Sequence, residues 1–299
     1  MIEDVNQIKP TDFNRMPDFG NATNAVIYET SVREFTKDPN SGVTDKGKFL
    51  GMVQTGTHTA SGQVTGIDYL KDLGVTHVQL MPMYDFASID ETSADPSYNW
   101  GYDPKNYDVP EGSYATDASD PTNRIMEMKE MINGFHKNGI RVVMDVVYNH
   151  VYSPAEQAFQ KVVPGYYFQY DAEGHLTNGS GVGNDVASER KMVRKYIVDS
   201  VKYWATNYNI DGFRFDLMGI LDVETMNEIR AELNAIDPGI LVYGEGWDMR
   251  ATNHDLGAAP YNAAKVHQHV GSFSDDIRNA INRATFGGIS NGLVDGTPH

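Results

Sequence analysis

Short apolar runs rich in β-branched residues alternate with amphipathic helical stretches along this sequence, the rhythm of a parallel α/β protein. After Thr65-Gly66, Ile67, Leu70 and Leu73 share one helical stripe, Gly74 stands where a helix would end, and HVQLMP (His77 to Pro82) follows as a buried strand. The unit then repeats. From Arg124 to Asn138, Ile125, Met128, Ile132 and Phe135 keep helical spacing; Gly139 stops that helix, and RVVMDVVYNH (Arg141 to His150) opens with a strand apolar on both faces. A helix marked by Val193, Ile197, Val201, Trp204 and Tyr208 precedes DGFRFD (Asp211 to Asp216). Another, marked by Met226, Ile229 and Leu233, precedes ILVYGEGW (Ile240 to Trp247). With VIYETSV (Val26 to Val32) and a weaker run in HVGSFSDD (His269 to Asp276), six strands are expected.

Two stretches break the rhythm. Residues 83 to 123 are rich in Tyr, Asp, Pro and Ser, and residues 151 to 189 contain NGSGVGND (Asn178 to Asp185), so both read as long loops of the kind that carry function. Of the 299 residues 40% are apolar, enough for a sizeable core, and 24 Lys plus Arg against 41 Asp plus Glu leave a net charge of −17. That charge argues against nucleic acid or an anionic membrane as partner and suits a neutral or cationic substrate. With no Cys, disulfides, thiolate catalysis and Cys-based metal sites are excluded, while the compartment stays open. No apolar run approaches the roughly 20 residues of a membrane span. Residues 1 to 20 lack a basic start and an apolar stretch, so a native start at Met1 would point to the cytoplasm, and an internal one would leave localisation open.

Three carboxylates sit at or just past the C-terminal ends of expected strands: Asp145 in MDVVYNH, Asp216 in GFRFD and Glu245 in YGEGW. In a parallel barrel that end is the active-site face. An apolar strand has no structural use for Asp145, because an unpaired buried carboxylate is costly. Each acid alone has an ordinary reading as an ion pair or helix cap. Three together point to chemistry, with Arg214 two residues before Asp216 on the same strand face.

These segments carry a resemblance. DVVYNH (Asp145 to His150), GFRFDLMG (Gly212 to Gly219) and YGEGW (Tyr243 to Trp247) resemble, in order, the first three conserved regions of the α-amylase family of glycoside hydrolases. YNWGYDPKNY (Tyr98 to Tyr107) is similar to the segment that marks the family's type I pullulanases, which cut α-1,6 links in branched glucans. The resemblance covers nearly the whole chain and implies an α/β fold, the TIM (β/α)8 barrel. It implies that Asp216 is the nucleophile and Glu245 the general acid/base of a retaining double displacement, their carboxyl groups roughly 5 to 5.5 Å apart. Arg214 would keep Asp216 ionised, and Glu245 would need drier or more acidic surroundings to hold its proton. Tyr102, Asp145 and His150 match residues lining the sugar subsite at the cleaved bond, and Trp100 and Trp247, with Tyr98, are candidate platforms for glucose rings. The implied partner is a branched α-glucan; the oligomeric state stays open.

Eight strands do not fit. After Asp276 only 23 residues remain, fewer than the about 30 of one β/α unit. The expectation is an incomplete barrel of about six units over residues 1–150 and 190–299, with 151–189 as an excursion equivalent to the family's domain B. Accessory N-terminal and C-terminal β-domains are expected to be absent. So is the family's fourth region, with its His-Asp pair and transition-state carboxylate; His254-Asp255 follows Glu245 too closely and reads as a turn pair. Little or no hydrolytic activity is expected of such a fragment. No cofactor is required on this reading. Asn149 with the Asp-bearing 171 to 185 segment offers oxygens for Ca2+, although such residues ordinarily make turns. His267-Gln-His269 is too weak a pattern for a metal site. Two rival readings stand: an isoamylase-like or α-1,4-cleaving specificity, against which only YNWGYDP argues, and a non-catalytic glucan-binding fragment. Asn21 and Asn178 head Asn-x-Ser/Thr triplets, which matter only in a protein secreted by a glycosylating cell.

Overall fold

A computed structural model describes residues 4–93, 96–249 and 254–281. In chain order its strands are β1 (Ile27–Thr30), β2 (His77–Leu80), β3 (Tyr84–Phe86), β4 (Pro104–Pro110), β5 (Arg141–Val146), β6 (Gly212–Phe215), β7 (Leu241–Gly244) and β8 (Gly271–Ser272). The helices are α1 (Val32–Thr36), α2 (Gly66–Leu73), α3 (Pro121–Lys137), α4 (Ala158–Val162), α5 (Lys191–Asn207), α6 (Val223–Ile236) and α7 (Asp275–Ile281). Six strands form one parallel sheet in the order β1-β2-β5-β6-β7-β8, and β3 pairs with β4 in a separate antiparallel hairpin. Among the described residues no helix is long and apolar enough to cross a membrane.

The sheet is curled into a half-barrel. Tyr243 on β7 donates to Gln79 Oε1 on β2 at 2.6 Å, although β5 and β6 lie between those strands. In a flat sheet three strand spacings would hold them roughly 14 Å apart. Curling brings the inward side chains of distant strands together, as in an incomplete TIM barrel. The register then sets the interior layers. Glu29, Gln79, Val143, Gly212 and Leu241 lie level across the strands, and Asp145, Arg214, Tyr243 and Gly271 form the next level toward the C-terminal ends. On the outer face Val142, Met144 and Val146 of β5 are buried in the same core cluster as Ile132 and Phe135 of α3, each worth roughly 1.5–3 kcal/mol of transfer free energy.

Three departures from the sequence reading have local causes. Helix α3 begins at Pro121 rather than Arg124, because the Asp120 side chain accepts from Thr122 N and caps a helix that proline can start. The strand read in HVGSFSDD shrinks to Gly271–Ser272, since α7 takes over at Asp275. The 83–123 stretch is not simply a loop: buried Glu111 accepts from Phe86 N at 3.1 Å and Ser113 N at 2.7 Å, tying the β3–β4 hairpin together. The N-terminal segment crosses the opposite end of the strands, where Arg15 donates to Ile210 O at 3.2 Å and His136 Nε2 lies 2.7 Å from Asp211 Oδ2.

Candidate active site

Period-two alternation along β6 and β7 aims Arg214 and Tyr243 inward, and two residues further on it aims Asp216 and Glu245 the same way. Asp145, level with Arg214 on β5, completes the group. One guanidinium holds all three acids. Arg214 Nη1 lies 3.0 and 3.1 Å from the two Asp145 oxygens and 3.2 Å from Asp216 Oδ1, while Nη2 lies 2.7 Å from Glu245 Oε1. Asp216 and Glu245 therefore take different nitrogens of the same guanidinium fork.

Loops supply the rest. Gly101 has φ +89°, and a Cβ there would sit 3.0 Å from Pro82 O. That tight turn sends the Tyr102 hydroxyl to Asp145 Oδ2, where it donates at 2.7 Å. Buried His150 sets Nε2 2.8 Å from Tyr102 O and Nδ1 2.5 Å from Asn149 Oδ1. The Asn149 amide in turn donates to Asp216 Oδ2 at 2.9 Å and to Asp216 O at 2.7 Å. Trp100 and Tyr98, each 56% exposed, meet edge to face at 6.2 Å, and this exposure fits a sugar platform better than a core. Trp247 is half-buried and lies against Phe273, ring centroids 6.5 Å apart and tilted by 29°.

The electrostatics correct one expectation. Arg214 does not by itself keep Asp216 in an easily ionised state: burial raises the Asp216 carboxyl, Asn149 and Arg214 pull it down, and the Glu245 charge pushes it up again. The net direction is upward because the group is almost wholly removed from water. Glu245 shares this cluster, its charge acting on both Asp216 and Arg214. Its side chain is 21% exposed, and its partners are Arg214 and the backbone N–H of Leu217, 3.0 Å from Oε2. Burial also raises Asp145, against Arg214 and Tyr102, and lowers His150. Burial alone would lower Arg214, yet Asp145, Glu245, Tyr102 and Asp216 together raise it.

The oxygens considered for calcium are already engaged. Asp185 accepts from Thr177 Oγ1 at 2.7 Å, Gly179 N at 2.6 Å and Ser180 N at 2.7 Å, and Asn149 is held by Asp216 and His150. His267 uses Nδ1 to accept from His269 N at 3.1 Å, a turn contact, and His254–Leu256 forms a single 3-10 turn. Sequence reasoning assigned no catalytic or sugar-binding role to Asn149, Leu217 or Gly219. Asn149 stands beside His150 in a quoted motif, but its contact with Asp216 spans 67 residues and has no local signal.

Comparison with known proteins agrees with this geometry. Residues 48–173 match the model of the alpha amylase catalytic domain. A pullulanase of Bacillus subtilis (strain 168) is 49% identical over 269 residues, which are 90% of this chain and 37% of that protein. A crystal structure of the Paenibacillus barengoltzii pullulanase in complex with maltohexaose and alpha-cyclodextrin superposes with a TM-score of 0.92 at 49% identity, covering 94% of this chain and 44% of that one. The same enzyme without ligand gives a TM-score of 0.94 at 47% identity over 99% of this chain and 46% of that one. The chain thus spans less than half the length of these relatives. Six curled parallel strands, the acid cluster at their C-terminal ends and these relatives agree: the chain belongs to the α-amylase family, on its pullulanase branch.

Proposed function

We propose that this chain carries the nucleophile and the acid/base of a retaining hydrolase that cuts α-1,6 links in branched α-glucans. The observation that carries the reading is the hanging of Asp216 and Glu245 on one guanidinium at the mouth of the half-barrel. Asp216 attacks the anomeric carbon while Glu245 gives its proton to the departing oxygen; Glu245 then takes a proton from water, whose oxygen releases the sugar from Asp216. The Arg214 contact suits Glu245 in the second step, when it acts as a base. Tyr102, Asp145 and His150 hold the ring at the cleaved bond, and Trp100 and Trp247 stack on neighbouring glucose units. The names of the relatives favour α-1,6 cleavage over an α-1,4 specificity. No cofactor enters these steps.

Digestion of pullulan by the purified chain tests the reading. Products with reducing ends freed at α-1,6 links are expected. Asp216→Asn and Glu245→Gln should abolish them. Products of α-1,4 cleavage would contradict the specificity. Glucan binding unaltered by Asp216→Asn, with no turnover in the wild-type chain, would mean a binding fragment.

A further inference from the structure

We propose that Asn149 is a positioning residue for Asp216, clamping its carboxylate with one amide group and linking it to His150. The inference rests on Asp216 being the nucleophile. The Asn149 Nδ2 group gives hydrogen bonds to both ends of the same residue, 2.9 Å to Oδ2 and 2.7 Å to the backbone oxygen. A side chain anchored at its carboxylate and its own carbonyl keeps one rotamer, as attack on a fixed carbon requires.

The orientation of the amide follows from its partners. On one side it faces two oxygens of Asp216, and on the other the His150 ring nitrogen at 2.5 Å. Exchanging its oxygen and nitrogen would set a carbonyl oxygen against both Asp216 oxygens. Asn149 is itself immobilised: it is fully buried, and its backbone oxygen accepts from Val186 N at 2.9 Å. Val186 belongs to the 151–189 excursion, so the folding of that excursion fixes the clamp. Asn184 secures the same junction through Val151, with contacts of 2.9 and 2.8 Å.

Arg214 cannot replace this contact. Its fork is shared among Asp145, Asp216 and Glu245, whereas the Asn149 amide donates to Asp216 alone. Among the groups that oppose burial in favouring the charged form of Asp216, Asn149 acts more strongly than Arg214. A merely structural asparagine would cost stability when replaced and leave the ionisation of Asp216 where it was.

The test follows Asp216 by carbon NMR of the chain labelled at aspartate Cγ, in wild type, Asn149→Leu and Asn149→Ser. Leucine keeps the volume without a donor, and serine covers the case in which leucine fails to fold; circular dichroism identifies the folded variants. The expected result is an Asp216 titration midpoint raised by about one pH unit, a tenfold change in proton affinity. A folded variant with an unmoved midpoint would overturn the proposal. The nucleophile reading is tested apart from it, by mass spectrometry of the wild-type chain after incubation with an activated glucosyl fluoride that forms a slowly hydrolysed ester. A label on a carboxylate other than Asp216 would overturn that reading without touching the titration result.

Discussion

The backbone N–H of Leu217 lies 3.0 Å from Glu245 Oε2, and it reaches there because Leu217 adopts a left-handed conformation with φ +41°. A branched side chain in that region costs of order 1 kcal/mol, which the surrounding structure has to over-determine. Replacing Leu217 with Gly removes the strain, whereas Ala keeps it and loses a similar side chain. The Leu217→Gly chain should therefore be about 1 kcal/mol more stable in urea unfolding than Leu217→Ala. Equal midpoints would mean that the turn is unstrained.

Arg214 is the hub of the acid cluster, and lysine should not substitute for it. An ammonium is a point charge that cannot reach three carboxylates from one position, and Asp145, fully buried, would be left under-partnered. Arg214→Lys should cost about 3 kcal/mol of stability. Adding Asp145→Asn should return part of that loss, a non-additivity that urea titration of the four chains measures. Strictly additive losses would show that the two residues act independently.

Gly219 holds the end of β7 in place by having no side chain. A Cβ there would lie 1.8 Å from Trp247 O, and Gly219 N donates to Glu245 O at 3.0 Å. Gly219→Ala should push the Glu245 to Trp247 segment outward, cost more than about 2 kcal/mol and shift the tryptophan emission. An unaltered spectrum and stability would contradict this close approach.

Much of this was legible in the sequence because it is local. The helix stripes and apolar strands follow from spacing alone, and period-two alternation places Arg214 and Asp216 on one face. The contact of Arg214 with Glu245 was not legible, since it depends on the register of β6 with β7 and on the curl of the sheet. The β3–β4 hairpin escaped for another reason: Pro104 and Pro110 bound β4, and irregular register against β3 hides any alternation. The roles of Asn149 and Leu217 come from contacts across 67 and 28 residues, which no motif or propensity encodes.

His77 predicts an acid sensitivity distant from the active site. It is buried at the start of β2, its Nε2 has no hydrogen-bond partner among the described residues, and burial lowers its pKa from 6.5 to about 4. The unfolded chain takes up a proton as pH falls through 6.5 and the folded chain does not until about 4, so in that window the unfolded state binds more protons. Stability should be complete above pH 6.5 and fall by about 3 kcal/mol on acidification to pH 4. His77→Leu should remove that part of the slope in unfolding curves recorded across the window; an unchanged slope would place the sensitivity elsewhere.

The most direct test of double displacement by Asp216 and Glu245 is the anomeric configuration of the first sugar released from pullulan, read by proton NMR before mutarotation. Two successive displacements at one carbon predict the α-anomer. First-formed β-anomer would mean a single displacement by water and would contradict the roles given to this pair.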